Sequence, residues 1–318
     1  MARKLRLEYS GACYHVINRG NYRRDLFAND GAAASFEIGL GEAGTSFGRL
    51  VHAYAIMRNH FHLAVETPEP NLSEGMKWLQ GTWARRFNCY HGENGRPFQG
   101  RYKAQHVEPG AALAQVAHYI HLNPLRAKIV TPERLGEYRW SSLFRFPSPG
   151  RPEWLVAETV LHESGGLPDS CTGWQRYAAF LAAWAEESPS ARDERFVRLS
   201  RGWIIGSTAF RAELRHELWA RVGRAGRFEI LGADRDAVQL ARAELWEERL
   251  RELAQGLGIP LTQLTVSPSA LDKLRLAAAL KQQTSASNGW IAQRLQMGAA
   301  SGLASRLHRF RSGDGDRP

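Results

Sequence analysis

The stretch Ala53-Tyr54-Ala55-Ile56-Met57-Arg58-Asn59-His60-Phe61-His62-Leu63-Ala64-Val65-Glu66-Thr67 is largely apolar and is stopped by Pro68. It joins two β-rich runs, Leu50 to Met57 and His60 onward, through Arg58-Asn59 alone, which predicts an antiparallel hairpin turning at that dipeptide. Successive side chains of a strand point to opposite faces, so His60 and His62 share one face while Phe61 and Leu63 take the other. Two neutral imidazoles over one cleft are the beginning of a metal site, and a third ligand has to come from elsewhere. On this pattern alone the plainer reading, two half-buried strand histidines, stays open.

Working outward, Ala12 to Asn18 alternates in the manner of a strand and ends in the turn Arg19-Gly20-Asn21. Gly31 to Phe47 reads as a helix capped by Asp30, weakened by its glycines. Beyond the hairpin, Asn71 is the expected cap of a helix reaching Tyr90, with Leu72, Met76, Leu79, Trp83 and Phe87 on its buried side. Phe98 to Val107 reads as a further strand. The succession β, α, β, β, α, β predicts an α+β fold: a ferredoxin-like, four-stranded antiparallel sheet with two helices on one face and the other face free. A further helix after Pro109-Gly110 runs to about Asn123, ahead of Pro124, and sets Tyr119 and Asn123 one turn apart on a single face. A partly buried amphipathic tyrosine and a helix-ending asparagine are the ordinary alternatives.

The chain has 318 residues, 43% hydrophobic and 23% charged, as expected of a soluble globular protein of two or three domains. No apolar run approaches the ~18 residues of a membrane span, and the basic start Met1-Ala2-Arg3-Lys4-Leu5 lacks the apolar core of a signal peptide, so a cytoplasmic protein without a membrane partner is expected. Cys13, Cys89 and Cys171 lie far apart and suggest neither a disulfide framework nor a thiolate zinc site. The net charge of +10 is uneven: +7 over residues 1–150, −2 over 151–269 and +5 over 270–318. Two basic ends around a near-neutral middle point to nucleic acid, because each cation placed at a phosphate releases a counterion.

Four ordered blocks in the first 145 or so residues resemble one family. They are Tyr14-His15-Val16-Ile17-Asn18-Arg19-Gly20-Asn21, Tyr54 to Leu63, Phe98-Gln99-Gly100-Arg101-Tyr102-Lys103, and Tyr119-Ile120-His121-Leu122-Asn123-Pro124-Leu125-Arg126-Ala127; Trp140-Ser141-Ser142 also fits. Together they resemble the REP-associated tyrosine transposases, relatives of the single-tyrosine insertion-sequence transposases with a His-hydrophobic-His motif. The resemblance implies Tyr119 as nucleophile, His60 and His62 as metal ligands, and Asn123 as the third ligand through its amide oxygen. It implies Mg²⁺ or Mn²⁺ as cofactor, with imidazole ligands favouring Mn²⁺. The implied partner is single-stranded or hairpin repeat DNA, cut through a 5′-phosphotyrosine link that keeps the bond energy for rejoining. A phenol at its ordinary pKa of about 10 is a weak nucleophile, which is why help from an ion suits it. Arg19, Arg23, Arg24, Arg101, Lys103 and Arg126 are the expected phosphate contacts, with Tyr14 or Tyr102 stacking on bases.

Past Pro147-Ser148-Pro149-Gly150 the composition changes, so the expected domains are a catalytic domain over 1–148, a helical middle region over 149–269 and a basic helix-turn-helix-like segment over 270–318. The middle carries Trp174, Tyr177, Phe180, Leu181 and Trp184 at helical spacing, a charged stretch from Ala191 to Arg201, a helix capped by Ser207 with Phe210, Leu214 and Leu218, and another over Arg235 to Leu257. In the last segment, helices over Leu271–Gln282, Trp290–Leu295 and Ser301–Phe310 would present Arg306, His308 and Arg309 to a DNA groove, with Gly298 later than the usual turn position; a plain three-helix module is the alternative. Monomer and homodimer both stay open. The rival functions are a DNA-binding regulator that has lost transposition, and a rolling-circle replication initiator with the same metal motif.

Overall fold

In a computed structural model of the chain, β1 (Ala12–Arg19), β2 (Leu50–Met57), β3 (His60–Thr67) and β4 (Lys103–Val107) are antiparallel neighbours in the order β2-β3-β1-β4. The structure describes residues 7–185, 199, 202–222, 235–264 and 267–311. They divide into two compact units, one over Leu7–Arg211 and one from Ala212 onward. The hairpin turns at Arg58-Asn59, as its apolar pattern requires. The sheet is five-stranded and mixed, however, where four antiparallel strands were expected: β5 (Ile204–Ile205) pairs parallel with the outer side of β4. Three apolar residues between Gly202 and Gly206 carried no strand signal of their own.

One face of the sheet carries α1 (Asp30–Phe47) and α2 (Leu72–His91), and here Phe61 packs on Phe36 with ring centroids 4.6 Å apart while Trp83 closes against Phe98 at 5.2 Å. Asn29, rather than Asp30, caps α1, its side chain accepting from Ala32 N at 2.8 Å. Asn71 precedes α2 without a capping bond and donates instead to Phe47 O at 2.9 Å. A glycine that weakens α1 has a packing reason: a Cβ on Gly44 would lie 2.9 Å from Trp154. The strand expected from Phe98 begins only at Lys103; Phe98 forms an isolated bridge with Gly20.

The second face is not free, as the βαββαβ pattern suggested, but is covered by α3 (Ala111–His121), which packs on β2 and β3. After Leu122 the chain turns into α4 (Asn123–Arg126), so Asn123 opens a short helix instead of ending a long one. Then α5 (Ser142–Arg145), α6 (Glu158–Glu163) and α7 (Cys171–Ala185) follow. Leu155, Val160, Leu161, Trp174, Tyr177 and Leu181 share one buried cluster with the sheet, so residue 148 does not separate compact units. Most of the charged stretch 191–201 lies outside the described residues.

The second unit is helical. It holds most of α8 (Thr208–Val222), α9 (Arg235–Gly256), α10 (Leu271–Gln283), α11 (Asn288–Arg294) and α12 (Ala300–Arg311). Leu250 and Ala254 of α9 are buried with Leu276, Leu280, Ile291, Leu295 and Leu303, so the core of the last three helices extends back across residue 270. The side chain of Leu218 is outside the described residues.

Candidate active site

The strand registers build the site. Opposite residues of paired strands share a face, and Ala55, His62, Ile17 and Lys103 form one row across β2, β3, β1 and β4. Arg19 pairs with His60 in the next row toward the hairpin tip, and Ala64, His15 and Gln105 form the row on the other side. His15, His60 and His62 therefore look the same way, toward α3. Ring centroids of His60 and His62 are 5.1 Å apart, and His15 and His62 are stacked at 5.4 Å. Tyr119 meets both His62 and His15 edge-on, each at 5.6 Å. The guanidinium of Arg126 lies 5.1 Å from the centre of the Tyr119 ring, a cation over its face.

Burial holds all three imidazoles neutral. His60 is pushed down to about 4 by desolvation and then by Arg19; His15 is pushed down to about 4 by desolvation. His62 lies well below the ordinary range, first through burial and then through His15, His60, Arg126 and Arg19. A neutral imidazole keeps a lone pair for an ion. His60 Nδ1–H donates to Asn59 Oδ1 at 2.7 Å, and His62 Nδ1 shares a 3.1 Å hydrogen bond with His15 Nε2. Asn123 donates its amide nitrogen to Tyr119 O at 3.0 Å and Ile120 O at 3.4 Å, so its amide oxygen is the group left to offer; its hydrogen bonds go to the helix, not to the imidazoles. Two histidines and an amide oxygen fit a hard or borderline divalent ion. Among the described residues no three His, Cys, Asp or Glu side chains gather to hold a metal.

The structure thus brings Tyr119, His60 and His62 together, with Asn123 tied to the tyrosine. Arg19, Lys103 and Arg126 rim them and are exposed. Arg23 and Arg101 are exposed nearby in sequence, whereas Arg24 is in a bidentate ion pair with Glu93 at 2.5 Å. Tyr14 and Tyr102, expected to stack on bases, are buried at 0% and 4% exposure, because they lie on or beneath the opposite, core-facing side of their strands. Tyr22, 95% exposed beside Arg23, is an aromatic close in sequence to Arg19 that does reach solvent. Its loop is pinned to the hairpin tip: Gly20 N donates to Asn59 O at 2.8 Å, and a Cβ on Gly20 would lie 2.2 Å from Arg24 O. In the helical unit Arg306 is half-buried and donates to Met297 O, leaving Arg309 exposed.

His15 and Asn59 were missed as site residues, although the period of two puts His15 on the face of His62 once the register is known. A second buried set, on α3 itself, was missed altogether. His118 Nδ1 and His121 Nδ1 reach the Tyr177 hydroxyl at 2.9 and 2.8 Å, and His121 Nε2 reaches Ser142 Oγ at 2.7 Å. Ser142 Oγ donates to Tyr54 O, so His121 Nε2–H donates to the serine, Tyr177 O–H donates to His121 Nδ1, and His118 Nδ1–H donates to Tyr177. This chain of neutral groups anchors the helix that carries Tyr119.

Residues 8–123 match the family model described as Transposase IS200 like. The matched segment holds β1 to β4, the two strand histidines, Tyr119 and Asn123. Among solved structures, the chain is similar to a REP-associated tyrosine transposase bound to a REP hairpin, at 16% identity and a TM-score of 0.39 over 50% of this chain and 93% of that one. It is also similar to a protein of Deinococcus radiodurans R1 described as a candidate transposase, at 22% identity and a TM-score of 0.28 over 40% of this chain and 92% of that one. No curated protein matches the chain. Among the described residues no helix is long and apolar enough to cross a membrane.

Proposed function

We propose that the chain is a strand transferase that cleaves and rejoins single-stranded DNA through Tyr119. The observation that carries this reading is the meeting of a helical phenol with two strand-borne neutral imidazoles, 5.6 Å from His62, inside a rim of Arg19, Lys103 and Arg126. In the reaction Tyr119 Oη attacks a DNA phosphorus, the bond from phosphorus to the 3′ oxygen breaks, the phenolic proton is lost, and the departing 3′ oxygen takes up a proton. The products are a 5′-phosphotyrosine and a free 3′-OH, and the reverse step joins a new 3′ end. Mg²⁺ or Mn²⁺, held by His60, His62 and the Asn123 oxygen, would supply Lewis-acid stabilisation at the scissile phosphate. The basic rim orients the phosphate, and the packed α3 keeps the phenol against the sheet. By the resemblance of the motif blocks, the substrate is a hairpin-forming repeat with a single-stranded foot, and the helical second unit, with Arg309 exposed, is an added DNA-binding module.

Incubation of the protein with Mn²⁺ and single-stranded hairpin DNA is expected to give an adduct that survives denaturing electrophoresis. Tyr119→Phe is expected to bind the same DNA and form none. Adduct formation by that variant would remove Tyr119 from the role.

A further inference from the structure

The reading of His60 and His62 as ligands leaves open which ring nitrogen each one presents, and the surrounding hydrogen bonds decide it. A neutral imidazole carries one proton, and only the other nitrogen has a lone pair for an ion. At His60 the choice is direct. Its Nδ1 lies 2.7 Å from the carbonyl-type oxygen of Asn59, which only accepts, so the proton is on Nδ1 and the lone pair on Nε2. The other end of the Asn59 amide donates to Arg23 O at 3.3 Å, which fixes the amide's orientation.

At His62 the choice runs through His15 on β1. Its Nε2 lies 3.1 Å from His62 Nδ1, so Nδ1 of His62 is engaged and Nε2 is the nitrogen that ring can turn to an ion. With an ion on Nε2 the proton of the ring is on Nδ1. His15 Nε2 is then the acceptor of that bond and His62 Nδ1–H the donor. The lone pair of His62 is left on Nε2, as in His60.

We propose that Asn59 and His15 are positioning residues that hold His60 and His62 as Nδ1–H tautomers, so that both rings offer Nε2 to an ion. The inference rests on the ligand reading above and adds to it one partner for each ring, Asn59 at the hairpin turn and His15 on the neighbouring strand. Partners of this kind orient ligand rings, and their loss weakens metal binding by about 10- to 100-fold.

The test uses the full chain with ¹⁵N-labelled histidine. Long-range proton–nitrogen spectra of the metal-free wild type are expected to show His60 and His62 protonated on Nδ1; protonation of His62 on Nε2 overturns the proposal whatever the variants do. Mn²⁺ titrations followed by the electron spin resonance of the free ion then compare variants. His15→Phe and Asn59→Ala are expected to lose about 10- to 100-fold in Mn²⁺ affinity, while His15→Gln and Asn59→Asp, which keep an acceptor, retain most of it. Affinity within twofold of wild type in His15→Phe, with His60→Ala impaired, overturns the positioning role alone. Unchanged affinity in His60→Ala as well means that the ligand reading has failed.

Discussion

Tyr22 and Arg23 sit in left-handed backbone, at φ of 51° and 59°, although neither is glycine. Such conformations cost on the order of 1 kcal/mol or more each and persist where the surroundings enforce them. Here the enforcement comes from the bonds of Gly20 and Asn21 to Asn59 and Pro97, and the result is an aromatic ring held in solvent a few residues from Arg19. Tyr22→Ala is expected to lower affinity for single-stranded DNA, since stacking on one base contributes about 1–3 kcal/mol. It is expected to leave the thermal midpoint within a degree or two, because an exposed ring contributes little to folding. Fluorescence anisotropy with a labelled oligonucleotide, alongside a thermal melt, checks both; unaltered affinity would exclude the ring from the interface. No pattern of apolar spacing marks a residue like Tyr22, because its exposure follows from a loop tied down by residues distant in sequence.

At the scale of the element, the placement of the nucleophile depends on how α3 is held. Tyr177→Phe deletes the hydroxyl between His118 and His121 and leaves two buried imidazole nitrogens without it, at an expected cost of about 1–3 kcal/mol in urea unfolding. The same histidines give α3 an acid limit. Burial pushes His118 down to about 4 and His121 down to about 3, the latter also through His118, against an ordinary value near 6.5. Between pH 6.5 and those values the unfolded chain binds protons that the folded chain refuses, so stability falls as pH falls, by about 1.4 kcal/mol per pH unit for each group, and is flat with respect to them above pH 7. Urea midpoints from pH 8 to pH 4.5 are expected to show this, with a shallower slope in His121→Gln. The hairpin and both helices on the core face were legible because each is a local period. The covering of the second face by α3 and the chain from His118 to Tyr54 were not, because Tyr177 reaches them from the far side of a proline- and glycine-rich stretch that reads as a boundary.

At the scale of the whole molecule, sequence composition and packing place the divisions differently. The net charge changes near residue 270, but Leu250 and Ala254 are buried with Leu276 and Leu280, so a cut there opens a core. Removal of 270–318 is expected to yield an aggregating chain, whereas removal of everything after Arg211 follows the boundary between units. On the proposed function, the shorter chain is expected to bind hairpin DNA more weakly and to cut at the same phosphate; gel shifts and mapping of the cut end test this, and a moved cut would give the helical unit a part in choosing the site. Among the last three helices Lys273 is 1% exposed and donates to Gln296 O at 3.3 Å, so the last turn is fixed from within by a residue that charge counting assigns to the surface. The strand Ile204–Ile205 has a bearing on synthesis. His106 N donates to Trp203 O and Glu108 N to Ile205 O, so the margin of β4 is covered by residues translated long after it. Until they leave the ribosome, every growing copy shows its neighbours a bare row of amides and carbonyls, the kind of template on which strands of different molecules add. On a crowded messenger, the arrival of Trp203 to Ile205 is the moment at which each copy stops inviting the next.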